Sequence, residues 1–108
     1  NLRREEQDII VGVRRAARRL KAAQEGITAA ERQEAAATEQ LRAEQIRLEY
    51  GESTPFDVLL RQQDLVGAQQ RHIDAFREYR QAVTGLDRAQ GTILRNRNIQ
   101  IEEAARLR

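Results

Sequence analysis

The sequence predicts an all-α protein, a long antiparallel coiled-coil helical hairpin, and three observations carry that reading. Ala, Glu, Lys, Leu and Arg make up 57 of the 108 residues, a proportion typical of long helices and coiled coils. Apolar or small residues recur at steps of three and four, averaging about the 3.5-residue coiled-coil period. One short stretch from Gly51 to Pro55 interrupts an otherwise helical pattern near the middle of the chain.

The first helix is expected over residues 2–50. Its seam reads Ile9, Val13, Ala16, Leu20, Ala23, Ile27, Ala30, Ala37, Leu41 and Leu48, with the register broken at Glu34 and Glu44. At 1.5 Å per residue such a helix is a rod of about 70 Å. One seam track is mostly large (Val13, Leu20, Ile27, Leu41, Leu48) and the other mostly Ala, so a neighbouring helix can approach closely. Gly12 and Gly26 each cost about 1 kcal/mol against Ala inside a helix, which lateral packing can offset.

The turn is expected at residues 51–54. Gly51 can adopt the left-handed conformation that closes a helix. Thr54 can cap the next helix, with Pro55 at its first position, and Asp57 stands three residues after the cap as in a capping box. Arg61, one turn beyond Asp57, is its expected ion-pair partner. The second helix is expected over residues 55–90, with apolar positions at Val58, Leu59, Leu65, Val66, Ile73, Phe76, Val83 and Leu86. Gly91 is a candidate stop; a less regular stretch follows, and the sequence leaves residues 95–108 open between a helix and a frayed end.

So short a turn makes the two helices antiparallel. A hairpin with Ala on half its seam buries little apolar surface for its size. Ile10, Ile46 and Leu60 beside the seam widen the apolar face, so each helix is expected to be gripped on two sides, in a bundle or a cylinder. The chain begins with Asn, and helical patterning starts at Leu2, so it is read as a segment of a larger protein.

The residue types exclude several chemistries. There is no Cys, Met or Trp, and aromatics are 4% of the chain, so no thiolate site or thiol nucleophile exists. His72 has no second His or Cys to complete a metal site and is read as a polar residue beside the seam. Ser53 implies no catalytic set and is read as a turn residue. No enzymatic activity, cofactor or metal is expected. The basic run Arg14, Arg15, Arg18, Arg19 and Lys21 lacks stacking aromatics and is read as a solvated or interhelical face, not a nucleic-acid site; the net charge is only +2. The longest apolar run, at Ile9–Val11, is far below the ~20 residues of a membrane-spanning helix.

From Arg47-Leu48-Glu49-Tyr50-Gly51 through Ser53-Thr54-Pro55-Phe56-Asp57-Val58-Leu59, then Ala75-Phe76-Arg77-Glu78-Tyr79-Arg80-Gln81-Ala82 and Leu86-Asp87-Arg88-Ala89-Gln90-Gly91, the chain resembles the second periplasmic helical hairpin of the TolC-like outer-membrane efflux proteins. The resemblance covers about residues 40–94. It implies a homotrimer whose outer-membrane β-barrel continues into a periplasmic α-helical barrel, an exit duct for drugs, metals or polypeptides. This hairpin would be one stave of that α-barrel. It implies a location in the Gram-negative outer membrane with this segment in the periplasm, and membrane contact only through the β-barrel part. It also implies two further partners, a periplasmic adaptor protein and an inner-membrane pump. Carried over by position, Tyr50, Gly51, Glu52, Ser53 and Thr54 would face the adaptor, and Asp57 would line the pore constriction. Leu60 stands where the family's second acid would, so a doubled acidic ring is not expected.

A reading of another class is a purely structural coiled-coil hairpin, such as the arm of a periplasmic pump adaptor protein. Such arms share the heptads and the turn, but the ordered set from Gly51 to Asp57-Val58-Leu59 belongs to the efflux-duct resemblance.

Overall fold

A computed structural model of the chain describes residues 2–107. Its elements are α1, Leu2–Glu49, and α2, Pro55–Arg106, of 48 and 52 residues. No strand occurs among the described residues. The candidate stop at Gly91 is not used, and α2 continues to Arg106. A glycine weakens a helix but ends it only where its backbone turns left-handed and the amides beyond it bond back. Among the described residues that conformation occurs at Gly51 alone, and Ile93 and Asn96 carry the seam past Gly91 as half-buried residues.

The helices divide into two compact units, residues 23–78 and residues 1–22 with 79–108. In the unit that holds the turn, α1 lays down Ala23, Ile27, Ala30, Glu34, Ala37, Leu41, Glu44 and Leu48, all buried or half-buried. The steps are an unbroken alternation of four and three. Glu34 and Glu44, expected as breaks in the register, occupy it. The facing stripe of α2 is Val58, Arg61, Leu65, Ala68, His72 and Ala75. Ala68, 1% exposed, marks the tightest packing. Two cross-helix contacts fix the axial register: Arg61 Nη1 donates to Gln40 Oε1 at 3.5 Å, and His72 Nδ1 lies 2.6 Å from Glu34 Oε2.

Of the stripe expected for α2, Val58, Leu65, Val83 and Leu86 are buried or half-buried, and the other four are corrected. Leu59, Val66, Ile73 and Phe76 are exposed, because the inward stripe runs one position earlier, on Val58, Leu65 and His72, with Ala68 and Ala75 between. Beside Val58 and Leu65, that stripe is filled by arginine, alanine and histidine, none of which stands out in a search for large apolar residues. Leu59, Val66 and Ile73, themselves seven residues apart, form a second row beside it. Leu60 and Ile46 also lie outside the seam, exposed.

The second unit repeats the construction. Ile9, Val13, Ala16 and Leu20 of α1 are half-buried, as are Tyr79, Leu86, Ala89 and Ile93 of α2, and Ala82 is buried. Gln100 donates to Glu6 at 3.5 Å across this pair. The basic run Arg14, Arg15, Arg18, Arg19 and Lys21 is exposed. No helix among the described residues is long and apolar enough to cross a membrane.

On the α1 side the reversal between the helices is closed by a pair of backbone bonds. Gly51 takes φ 72°; its N–H donates to the Leu48 carbonyl at 3.0 Å, and the Glu52 N–H donates to the Arg47 carbonyl at 2.8 Å. This pair of bonds is the Schellman closure, which satisfies carbonyls that the helix end leaves free. On the α2 side the Asp57 N–H donates to Thr54 Oγ1 at 3.2 Å, and the Val58 N–H to the Thr54 carbonyl at 3.2 Å, making Thr54 the N-cap with Pro55 at the first helical position.

Three substitutions separate these contributions, with urea unfolding as the measure. Gly51→Ala should destabilise the hairpin by about 1–2 kcal/mol, the cost of a Cβ in the left-handed region. Ala68→Leu should cost about 1–3 kcal/mol by overpacking the close approach. Gly26→Ala should instead stabilise by up to about 1 kcal/mol, since a Cβ there meets nothing within 4 Å.

Candidate functional site at the helical turn

The turn is where the chain presents side chains on a fixed backbone with no helix partner beside them. Tyr50, the residue that follows α1, is 77% exposed, and Phe56, in the first turn of α2, is also exposed. Glu52 and Thr54 are exposed as well, while Ser53 is half-buried. An aromatic on a backbone that cannot swing loses little entropy on contact with a partner.

Beneath the turn lies a buried acid. Glu44 is 8% exposed, on the seam track that α1 otherwise fills with Ala23, Ala30 and Ala37. Ser53 Oγ donates to Glu44 Oε1 at 2.9 Å. Arg47 Nη1 donates to Glu44 Oε2 at 3.2 Å, an ion pair one turn along the helix. The same guanidinium reaches forward, and Arg47 Nη2 donates to the Glu52 carbonyl at 3.3 Å. Burial of a carboxylate is costly unless its oxygens are bonded, and here both are. Among the described residues no buried side-chain nitrogen or oxygen lacks a partner.

Asp57 sits at the third helical position of α2, half-buried. Its Oδ2 accepts the Thr54 hydroxyl at 2.9 Å, while its N–H donates to that same oxygen. The capping box therefore forms with one change. The shorter Asp reaches the cap hydroxyl, whereas the usual Glu or Gln reaches the cap N–H. The expected Asp57–Arg61 pair does not form; Arg61 Nη1 lies 3.7 Å from Asp64 Oδ2 and bonds to Gln40, because its position on the seam aims it across to α1. One Asp57 oxygen remains for an external partner.

A second polar cluster lies further along the same unit. His72 stands in the seam, not beside it, with Nδ1 against Glu34 and Nε2 3.8 Å from Glu31 Oε1. Its place on the large track, with an acid opposite, accounts for both Glu34 and His72 as one cross-helix contact. No group of three or more His, Cys, Asp or Glu among the described residues is arranged to hold a metal ion.

Tyr50, Gly51, Glu52, Ser53 and Thr54 are thus brought together by the turn, with Asp57 one helical turn behind Thr54. What sequence reasoning missed is Glu44. The signal was present: an acid on a track of alanines, seven residues before the turn glycine, must be either an interruption or a buried, partnered group, and Ser53 supplies a hydroxyl to it at the reversal.

Comparisons with known proteins agree with this architecture. Residues 1–92 match the family model described as outer membrane efflux protein. No curated protein matches the chain, and no solved structure does. That family comprises channel and transport components, not enzymes, and the match extends well upstream of the segment that carries the motif resemblance. The chain belongs to the outer membrane efflux protein family.

Proposed function

We propose that this chain is a single periplasmic hairpin of a larger protein, one segment of the α-helical duct of a homotrimeric outer-membrane efflux or secretion channel. Its turn lies near the periplasmic gate and docks a periplasmic adaptor protein that links the channel to an inner-membrane pump. The single observation that carries this reading beyond the family is the turn itself. It is a backbone reversal locked by the Gly51 closure and the Thr54 cap, with Tyr50 standing 77% exposed upon it. A rigid, exposed aromatic with polar neighbours is what a small docking surface requires.

The second row on α2 supports the duct. Leu59, Val66 and Ile73 repeat every seven residues, so they form a straight stripe suited to another helix laid alongside. A stave of a closed cylinder needs such a face in addition to the one that pairs its own two helices. Asp57, one turn from the tip, supplies a carboxylate from each protomer to the proposed constriction, where a ring of three acids favours cations. Opening is then a lateral shift of hairpins between two packings, biased by the docked adaptor.

Two measurements on the full-length trimer test this. Tyr50→Ala should weaken adaptor binding about tenfold, the scale of an interface hot spot, and reduce export, while leaving the amount of trimer unchanged. Wild-type binding by a variant altered at both Tyr50 and Glu52 would remove the turn from the docking surface. Asp57→Asn keeps an oxygen for the Thr54 hydroxyl, so the cap survives, and single-channel recordings should show reduced cation selectivity; unchanged selectivity rejects Asp57 as a constriction residue.

A further inference from the structure

We infer that Glu44 is the positioning residue of the turn: a buried carboxylate that touches no partner itself but holds Arg47, Glu52 and Ser53 in the arrangement a partner meets. This rests on the proposed docking role of the turn and goes beyond it by naming what sets the docking geometry.

Glu44 accepts from Ser53 through one oxygen and from Arg47 through the other. Arg47 then grips Glu52 from both sides, its carbonyl accepting the Glu52 N–H and its guanidinium donating to the Glu52 carbonyl. Glu52 and Ser53 are adjacent, so these bonds close a ring that runs from α1 to the turn and back. Without Glu44 the guanidinium has no anchor on α1, and the Ser53 hydroxyl has no acceptor under the turn. Charge-assisted bonds of this kind are about twice as strong as neutral ones.

The position also separates positioning from packing. Every other buried residue on this track of α1 is alanine: Ala23, Ala30 and Ala37. Alanine is also the better helix former. If Glu44 served packing alone, Glu44→Ala would be neutral or stabilising at every level. If it positions the turn, the same change leaves global stability unharmed and loosens residues 51–53 selectively.

The experiment pairs two readouts. Amide hydrogen exchange in Glu44→Ala should quicken about tenfold at Gly51 and Glu52, the fold-change that a hydrogen bond to a charged group is worth, while the thermal midpoint holds or rises. Ser53→Ala should reproduce part of the effect, and Glu44→Gln, which retains an acceptor for Ser53 but loses the ion pair, should fall between. In the full-length channel Glu44→Ala should weaken adaptor binding although Glu44 is not exposed. Unchanged turn amides overturn the inference, and so does quickened exchange with wild-type adaptor binding. The Tyr50 and Glu52 variants distinguish this from a failure of the docking reading: if they impair binding and Glu44→Ala does not, the inference about Glu44 alone falls.

Discussion

The constraint on which the rest depends is the close approach of two backbones along tracks of alanine. Ala23, Ala30 and Ala37 on α1 and Ala68 and Ala82 on α2 are buried, although the chain offers few bulky side chains with which to build a core. Small residues at every second seam position let large ones on the other track, such as Ile27, Leu41 and Leu65, lie across the partner helix. The dispersion energy comes from many short contacts and not from a few large side chains. A chain with 4% aromatics can be ordered only in this way. The same economy leaves little surplus, so the polar groups that enter the seam must be fully bonded.

Four charged or titratable groups of residues 23–78 enter it: Arg61, bonded to Gln40, Glu34 with His72, and Glu44, bonded to Ser53 and Arg47. Neither acid adds apolar burial, and an alanine or leucine would fill its place. What they supply is register. A slide of one heptad along a seam of alternating Ala and Leu leaves the apolar packing almost unchanged, but it would strand Glu34 opposite Leu65 or Tyr79 and part Glu44 from Ser53. Buried polar pairs that specify register at some cost in stability are the best-attested use of such groups. Because Glu44 is matched to the turn itself, the register is set where the two helices meet.

Much of this was legible in the sequence. All ten seam residues named for α1 are found buried or half-buried, because a period of 3.5 survives substitution of individual positions. The turn was legible because Gly51, Thr54 and Pro55 each have a backbone reason to stand where they do. The inward stripe of α2 was not fully legible, since Leu59, Val66 and Ile73 outweigh Ala68, His72 and Ala75 in hydrophobicity and lie one position away. A helix with two apolar rows does not declare which row its own partner takes. The sequence leaves the run past Gly91 open because a glycine reads as a candidate stop, whereas the stop is a conformation. Glu44 escaped because a buried carboxylate is recognisable only once its donors are known, and Ser53 reaches it across the turn.

The distribution of charge bears on how such hairpins can stand beside one another. Residues 23–78 carry 11 acidic against 6 basic side chains, whereas residues 1–22 and 79–108 carry 6 acidic against 13 basic. On the proposed reading, copies run parallel around a threefold axis, so acidic units face acidic units. Exposed like charges repel over about a Debye length, roughly 8 Å at physiological salt. Neighbouring staves would therefore be held by the apolar row of Leu59, Val66 and Ile73 against this repulsion, and that row lies in the turn-proximal part of α2. A duct built this way sets apolar attraction and like-charge repulsion against each other along the same stretch of the hairpin. On that reading, parting of neighbouring hairpins is opposed by the row and assisted by the charge, with Asp57 as one contributor among several.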